Sequence, residues 1–162
     1  MLFFIYNYYL IVIFINNMKS IENTIQLFRK AGYRITPQRR AIFKILEPDA
    51  SHPNAESVYE KVRKEMPDIS RTTVYNTLKE MTDLGVLDLV SSVSDNTLRY
   101  DLNTGHHNHL QCLSCRRIID IDFDLQDFDL PEKESMDFQI VKQQVTFFGY
   151  CPDCQNIKEE KR

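Results

Sequence analysis

The sequence predicts an α+β protein in two parts: a helical N-terminal half closed by a β-hairpin, then a small strand-rich C-terminal half organised by metal. Three observations lead there. Apolar residues recur at helical spacing through four successive segments before giving way to two β-prone runs. All four cysteines fall in two Cys-x-x-Cys pairs, Cys112/Cys115 and Cys151/Cys154. Charge is also divided along the chain: residues 18–82 hold 12 basic and 8 acidic side chains, whereas 102–162 hold 7 and 11, although all 162 residues together net only −3. A basic half followed by an acidic half suggests two separate jobs, the first compatible with nucleic acid.

The first element is an apolar run, residues 2–15, broken only by Asn7. It is shorter than the roughly 20 residues a membrane-spanning helix needs. It also lacks the basic start and small-residue cleavage site of a secretory signal. Residues 1–17 therefore read as an apolar extension upstream of a true start at Met18, with a membrane anchor as the rival reading, and no membrane partner is expected.

From Ser20, Ile21, Ile25, Leu27 and Phe28 mark a helix that stops at Gly32. Thr36 is a cap and Pro37 a first helical residue, opening a second helix with the stripe Ala41, Ile42, Ile45 and Leu46. A third begins after Asn54, with Val58, Tyr59, Val62 and Met66 on one face. Ser70 caps a fourth, carrying Val74, Leu78, Met81 and Leu84 to Gly85. Strand-like runs follow at Val86–Val90 and Thr97–Tyr100, separated by a polar turn at Ser91–Asn96. Four short helices and a hairpin is the order of a winged helix-turn-helix domain, here 18–101.

In that arrangement the helix after Ser70 reads DNA. Its first turns offer Arg71, Thr72, Thr73, Tyr75 and Asn76. Asn76 suits a bidentate pair with adenine and Arg71 a guanine or a phosphate. Arg34, Arg39 and Arg40 read as contacts to the phosphate backbone. The competing reading is an ordinary helical bundle with solvated polar faces.

The C-terminal part, 102–162, carries the metal chemistry. Strand-like runs at His109–Leu113, Ile118–Ile121 and Gln144–Phe148 flank the cysteine pairs. Four thiolates from two neighbouring turns close a tetrahedral sphere around Zn2+, with no open position, so the site reads as structural. Paired cysteines of this kind belong in a reducing, cytoplasmic setting rather than in a disulfide framework. His107 and His109 alternate along one strand and so face the same side, with Asp101 and Asp120 near in sequence. That mixed set suits Fe2+, Mn2+, Co2+ or Zn2+, and two plain surface histidines remain the alternative.

The stretches RITPQRRAIF (34–43), HPNAESVY (52–59), ISRTTVYNTL (69–78), RYD (99–101), HHNHLQCLSC (106–115) and GYCPDC (149–154) resemble the ferric-uptake regulator (Fur) family of metal-sensing repressors. The resemblance implies a homodimer in which a C-terminal α/β domain dimerises and a winged helix binds double-stranded operator DNA. It adds His52 to a regulatory Fe2+ or Mn2+ site formed with Asp101, His107, His109 and Asp120. Metal at that site would clip the two domains together and set the spacing of the reading helices. Asp120 stands where the iron-uptake branch has Glu, which is similar to the peroxide-sensing (PerR-like) branch. In that branch bound Fe2+ reacts with H2O2 and a ligating histidine, here His52 or His107, is oxidised, releasing the repressor from DNA.

The alternative within the family is an iron- or manganese-responsive repressor of uptake genes. Asn108 and Gln143 stand at positions of a second family metal site, which is therefore expected to be absent or weak. Arg116 replaces a usual Gly after the first cysteine pair, and 122–136 replaces a longer helix. A thiol–disulfide oxidoreductase is disfavoured because Cys112 and Cys151 are expected at strand ends rather than at a helix N-terminus. A mononuclear iron enzyme is disfavoured because no substrate pocket or activated base is evident, so no enzyme activity and no small-molecule substrate beyond peroxide are expected.

Overall fold

The computed structural model describes residues 20–92, 97–122, 132–136, 138–140 and 143–159. The expected apolar extension at 1–17 and positions 93–96 of the expected turn lie outside the described residues. The chain forms two compact units, Met1–Gly105 and His106–Arg162.

The first unit contains helices α1 (Ile21–Lys30), α2 (Pro37–Leu46), α3 (Ala55–Glu65) and α4 (Arg71–Asp83). Each starts at a side-chain cap. Ser20, Thr36, Asn54 and Ser70 accept the backbone N–H of Asn23, Arg39, Ser57 and Thr73 respectively, satisfying donors that a helix start leaves open. α1 and α4 also end alike. Gly32 and Gly85 take φ values of 84° and 69°, and the next residues, Tyr33 and Val86, donate back to the carbonyls of Phe28 and Met81. A left-handed residue is needed at that point, and glycine adopts it without a Cβ clash.

These caps turn the apolar stripes inward. Ile25 and Phe28 meet Ile42, Phe43 and Leu46, with Val58 and Val62 from α3 and Val74, Leu78 and Met81 from α4 completing the core. Phe43 belongs to that core although Ala41 and Ile45 were expected in its place; those two lie only partly buried against it.

The hairpin pairs β1 (Asp88–Ser92) with β2 (Thr97–Asp101) antiparallel, Val90 opposite Arg99. It begins two residues later than the expected Val86–Val90. Val86 is used in the helix stop and Leu87 is buried among the helices, so neither is free to join a ladder. On its other side, β2 reaches the loop before α3: Tyr100 N–H donates to the Pro53 carbonyl at 3.0 Å.

The second unit is a three-stranded sheet with β3 (Asn108–Cys112) in the centre. β4 (Ile118–Ile121) pairs antiparallel on one side and β5 (Thr146–Gly149) parallel on the other. The register sets Leu110 opposite both Ile119 and Phe147, and all three side chains are exposed, forming an apolar row across the sheet. Short helix α5 (Glu132–Ser135) and helix α6 (Pro152–Glu159) complete the unit. Of the 122–136 segment, 123–131 lie outside the described residues. Helix α6 was not expected, yet Pro152 at its first position is the residue that favours such a start. Among the described residues no helix is long and apolar enough to cross a membrane.

Leu78 is fully buried, whereas Ser70 acts only through its cap. Urea unfolding followed by circular dichroism should therefore show Leu78→Ala losing about 2–5 kcal/mol and Ser70→Ala about 1 kcal/mol.

Candidate metal centre and nucleic-acid interface

The sheet brings the four cysteines together. Cys112 ends β3 and Cys115 lies in the turn to β4; Cys151 immediately precedes α6 and Cys154 sits in its first turn. Their four sulfurs all lie within 4.8 Å of one another, and all four are free thiols. The Cys115 and Cys151 sulfurs are 3.7 Å apart. That is far beyond a disulfide bond and close to the edge, about 3.8 Å, of a tetrahedron with 2.3 Å metal–sulfur bonds. Backbone N–H groups, that of Cys151 foremost, hold the Cys112 thiol down to about 6. Burial, followed by hydrogen bonding with the Cys154 thiol, pushes Cys151 up to about 12. Four sulfurs this close cannot all be thiolates without a cation among them, and Zn2+ fits the donor set.

The expected placement of Cys151 at a strand end is corrected by helix α6: it lies at a helix N-terminus. The oxidoreductase reading gains nothing from this: the thiol at the helix N-terminus, Cys151, is raised, and the depressed one, Cys112, is buried at a strand end. The first turn also departs from expectation. Arg116 adopts φ 66° and its N–H bonds to the Cys112 carbonyl at 2.9 Å, while Cys112 N–H bonds to the Arg117 carbonyl. The tight turn thus forms with arginine in a glycine conformation.

The histidines and carboxylates fall into two groups, one in each unit. In the second unit, His109 and Asp120 are direct cross-strand partners of β3 and β4, so they share a face. His107, two residues before His109, joins them. The two Nε2 atoms are 3.0 Å apart, and lie 3.7 and 3.5 Å from Asp120 Oδ1. Donors about 2.1 Å from one ion are separated by about 3.0–3.4 Å, so the trio suits a divalent cation of borderline hardness. Both imidazoles are buried, His109 completely, which excludes the reading of plain surface histidines. Asn108 is engaged otherwise: its buried side-chain oxygen accepts Val145 N–H at 3.0 Å. Gln143 lies partly buried and His106 is exposed.

In the first unit, His52 and Asp101 are both buried, and His52 Nε2 lies 3.6 Å from Asp101 Oδ2. Asn103 N–H bonds to Asp101 Oδ1 at 2.7 Å, turning the other oxygen towards the imidazole. His52 has φ 51°, a left-handed conformation that costs a non-glycine residue of order 1–3 kcal/mol. Sequence reasoning missed Asn103. Its place two residues after an aspartate, where the Asp side chain caps a backbone N–H, was the available signal.

The expected DNA contacts divide by their local partners. Thr72, Tyr75 and Asn76 are exposed on the first turns of α4, and Thr73 is partly buried beside the Ser70 cap. Arg71 stacks 4.3 Å over the Tyr59 ring and bonds to the Glu56 carboxylate, which it holds below the usual carboxylate range. Arg34 and Arg40 are exposed. Arg39 instead donates to the Arg34 carbonyl and to Glu80, and lies over the Phe28 and Tyr33 rings. It clasps α2 to α4. Sequence reasoning did not name the partners Glu56 and Glu80, and it read Tyr59 only as part of an apolar helix face.

Residues 30–148 match the model of the Ferric uptake regulator family. The peroxide-responsive repressor PerR of Staphylococcus aureus (strain USA300) is 33% identical over 138 residues, covering 85% of this chain and 93% of that protein. A solved structure of a zinc-bound manganese uptake regulator is similar with a TM-score of 0.57 and 30% identity, over 78% of this chain and 96% of its own. The ferric uptake regulator of Helicobacter pylori shares the fold, with a TM-score of 0.65 at 22% identity over 85% and 93%.

Two outcomes follow from the cysteine site. Arg116→Gly should stabilise the zinc-loaded protein by about 1 kcal/mol in thermal or urea melts, by relieving the left-handed strain. Because the metal-free Cys112 thiol is already held down to about 6, protons compete with the metal for this sulfur only as pH falls below about 6. Zinc release to a chromogenic chelator should accelerate over that interval.

Proposed function

The chain belongs to the ferric uptake regulator family, and we propose that it is a metal-dependent transcriptional repressor that binds double-stranded operator DNA as a homodimer and senses hydrogen peroxide. The observation that carries this reading is the His107–His109–Asp120 trio, two buried imidazoles beside an exposed carboxylate, a nitrogen and oxygen donor set separate from the four cysteines. Cys112, Cys115, Cys151 and Cys154 would hold Zn2+ permanently. His107, His109 and Asp120, together with His52 and Asp101 from the DNA-binding unit, would hold the regulatory Fe2+ or Mn2+.

The residues divide the work. Asp120 and Asp101 supply negative charge, and the three imidazoles supply neutral nitrogen donors. Burial of both histidine groups keeps bulk water away from the rings. Donors drawn from both units make metal binding a restraint on the winged helix, so α4 is presented to DNA at the two-fold spacing only when metal is held. Fe2+, when bound, supplies electrons to H2O2, chemistry that Mn2+ does not supply under the same conditions. His52 and His107 are the oxidisable rings, and a ring that has taken up oxygen is a poorer nitrogen donor. The reaction consumes one site per event, which makes it a signal rather than turnover. The apolar row Ile119, Leu110 and Phe147 supports a second copy of the chain as partner, because a patch of that kind is seldom left in water. The winged-helix residues Arg34, Arg39, Arg40, Arg71, Thr72, Thr73, Tyr75 and Asn76 would make the DNA contacts.

The second reading, an iron- or manganese-responsive repressor without peroxide sensing, is favoured by the likeness to the zinc-bound manganese uptake regulator. One experiment separates them. Zinc-loaded protein is charged with Fe2+ or Mn2+, given stoichiometric H2O2, and examined by peptide mass spectrometry and by retention of an operator duplex selected from a random pool. Peroxide sensing requires one added oxygen on the His52 or His107 peptide and loss of DNA binding with Fe2+ alone. Operator binding that survives peroxide, with unmodified histidines and Fe2+ bound, would establish the second reading instead.

A further inference from the structure

We propose that Asp49 is a positioning residue for His52: through Ser51 and Lys61 it fixes the loop that sets the His52 imidazole against Asp101. The inference rests on the reading of His52 as a regulatory-metal ligand.

The segment from 47 to 54 joins α2 to α3, and His52 sits in it with an unfavourable backbone. Its φ is 51°, and the residue that follows is Pro53, which normally drives the preceding residue into extended conformations. Such a conformation persists only where its surroundings over-determine it. On the C-terminal side the anchors are the Tyr100 N–H bond to the Pro53 carbonyl and the Asn54 cap of α3. On the N-terminal side the anchor is Asp49. Its own N–H bonds to the Leu46 carbonyl at 2.8 Å, tying it to the end of α2. Its Oδ1 accepts the Ser51 N–H at 3.0 Å and the Ser51 hydroxyl, closing a turn one residue before His52. Its Oδ2 accepts Lys61 Nζ from α3. The Asp49 side chain is only 9% exposed, so the carboxylate end of this ion pair is sheltered from water while Lys61 stays half-exposed. Burial alone would raise the Asp49 carboxyl, and the bonds from Lys61 and Ser51 outweigh it and hold the group below its ordinary value.

Asp49 therefore fastens one side of the loop to two helices at once. Without it, the N-terminal side of the loop loses its tie to α2 and α3, and relaxation of the left-handed His52 towards extended backbone swings the imidazole away from Asp101. Groups bonded directly to a metal-bound histidine are worth about 10–100-fold in metal affinity, which bounds the effect of a residue that acts on His52 through the loop.

The test uses full-length, zinc-loaded protein and Mn2+ alone as the probe, with free Mn2+ followed by electron paramagnetic resonance. Asp49→Ala should weaken Mn2+ binding measurably, within that bound of about 10–100-fold. Lys61→Met should weaken it less, and Lys61→Arg should restore affinity to near that of the unsubstituted protein. In a His52→Ala background, Asp49→Ala should have almost no further effect, a non-additivity that general destabilisation would not produce. In the metal-free protein, hydrogen exchange should accelerate at 49–54 while the core amides of α1–α4 keep their protection. Unchanged Mn2+ affinity in Asp49→Ala, alongside a weakened His52→Ala, would overturn the positioning role alone. An equal loss in both backgrounds would also overturn it, in favour of a merely structural one. Unchanged affinity in His52→Ala would sink the ligand reading and this inference with it. If Asp49→Ala does not fold, the Lys61 pair carries the same decision.

Discussion

The alternation of side chains along β3 is the constraint on which the C-terminal unit depends. His109 and Gln111 point to one side of the strand, and Asn108, Leu110 and Cys112 to the other. Its pairing with β4 puts Asp120 opposite His109, and its parallel pairing with β5 puts Gly149, two residues before Cys151, opposite Cys112. A slip of one residue would reverse every one of these faces, separating His109 from Asp120 and Cys112 from the second cysteine pair. One strand of five residues thus holds both donor sets in place. Asn108 reinforces the register by binding Val145 N–H, a contact a shifted strand could not make.

Much of this was legible in the sequence because the signals were local. Ser20, Thr36, Asn54 and Ser70 announce helix starts, Gly32 and Gly85 announce stops, and each prediction concerns residues a few positions apart. The cysteine pairs and the His107–His109 alternation were readable for the same reason. What was not legible depends on residues distant in the chain. The Val86–Val90 strand was misplaced because Leu87 belongs to a core built by four helices. The helix after Cys151 was missed although Pro152 signalled it, because the run of residues that follows has no clear apolar stripe. The partners of Arg39 and Arg71, Glu80 and Glu56, lie 41 and 15 residues away and no periodicity points to them. His52 came only through likeness to a family; nothing in its own neighbourhood marks it as a ligand.

The two donor sets also follow a chemical division. Soft thiolates close around one ion and leave no position for exchange, whereas imidazoles with carboxylates form a site that different divalent ions can enter. Keeping them on separate residues lets the fold hold one ion while the other responds to supply. The strained backbone of His52 carries an imidazole towards Asp101, and the left-handed Arg116 closes the turn after the first cysteine pair.

The parallel ladder between β3 and β5 has a consequence for how the protein comes into being. The Cys151 N–H bonded to the Cys112 sulfur belongs to a residue 39 positions along the chain. Parallel pairing over such a separation is entropically slow to close and exposes strand edges while it waits. A metal gripping both cysteine pairs shortens that search by converting a distant encounter into a tethered one. The cellular zinc pool would then govern how quickly newly made chains escape aggregation and proteolysis, and hence how much repressor exists to respond at all.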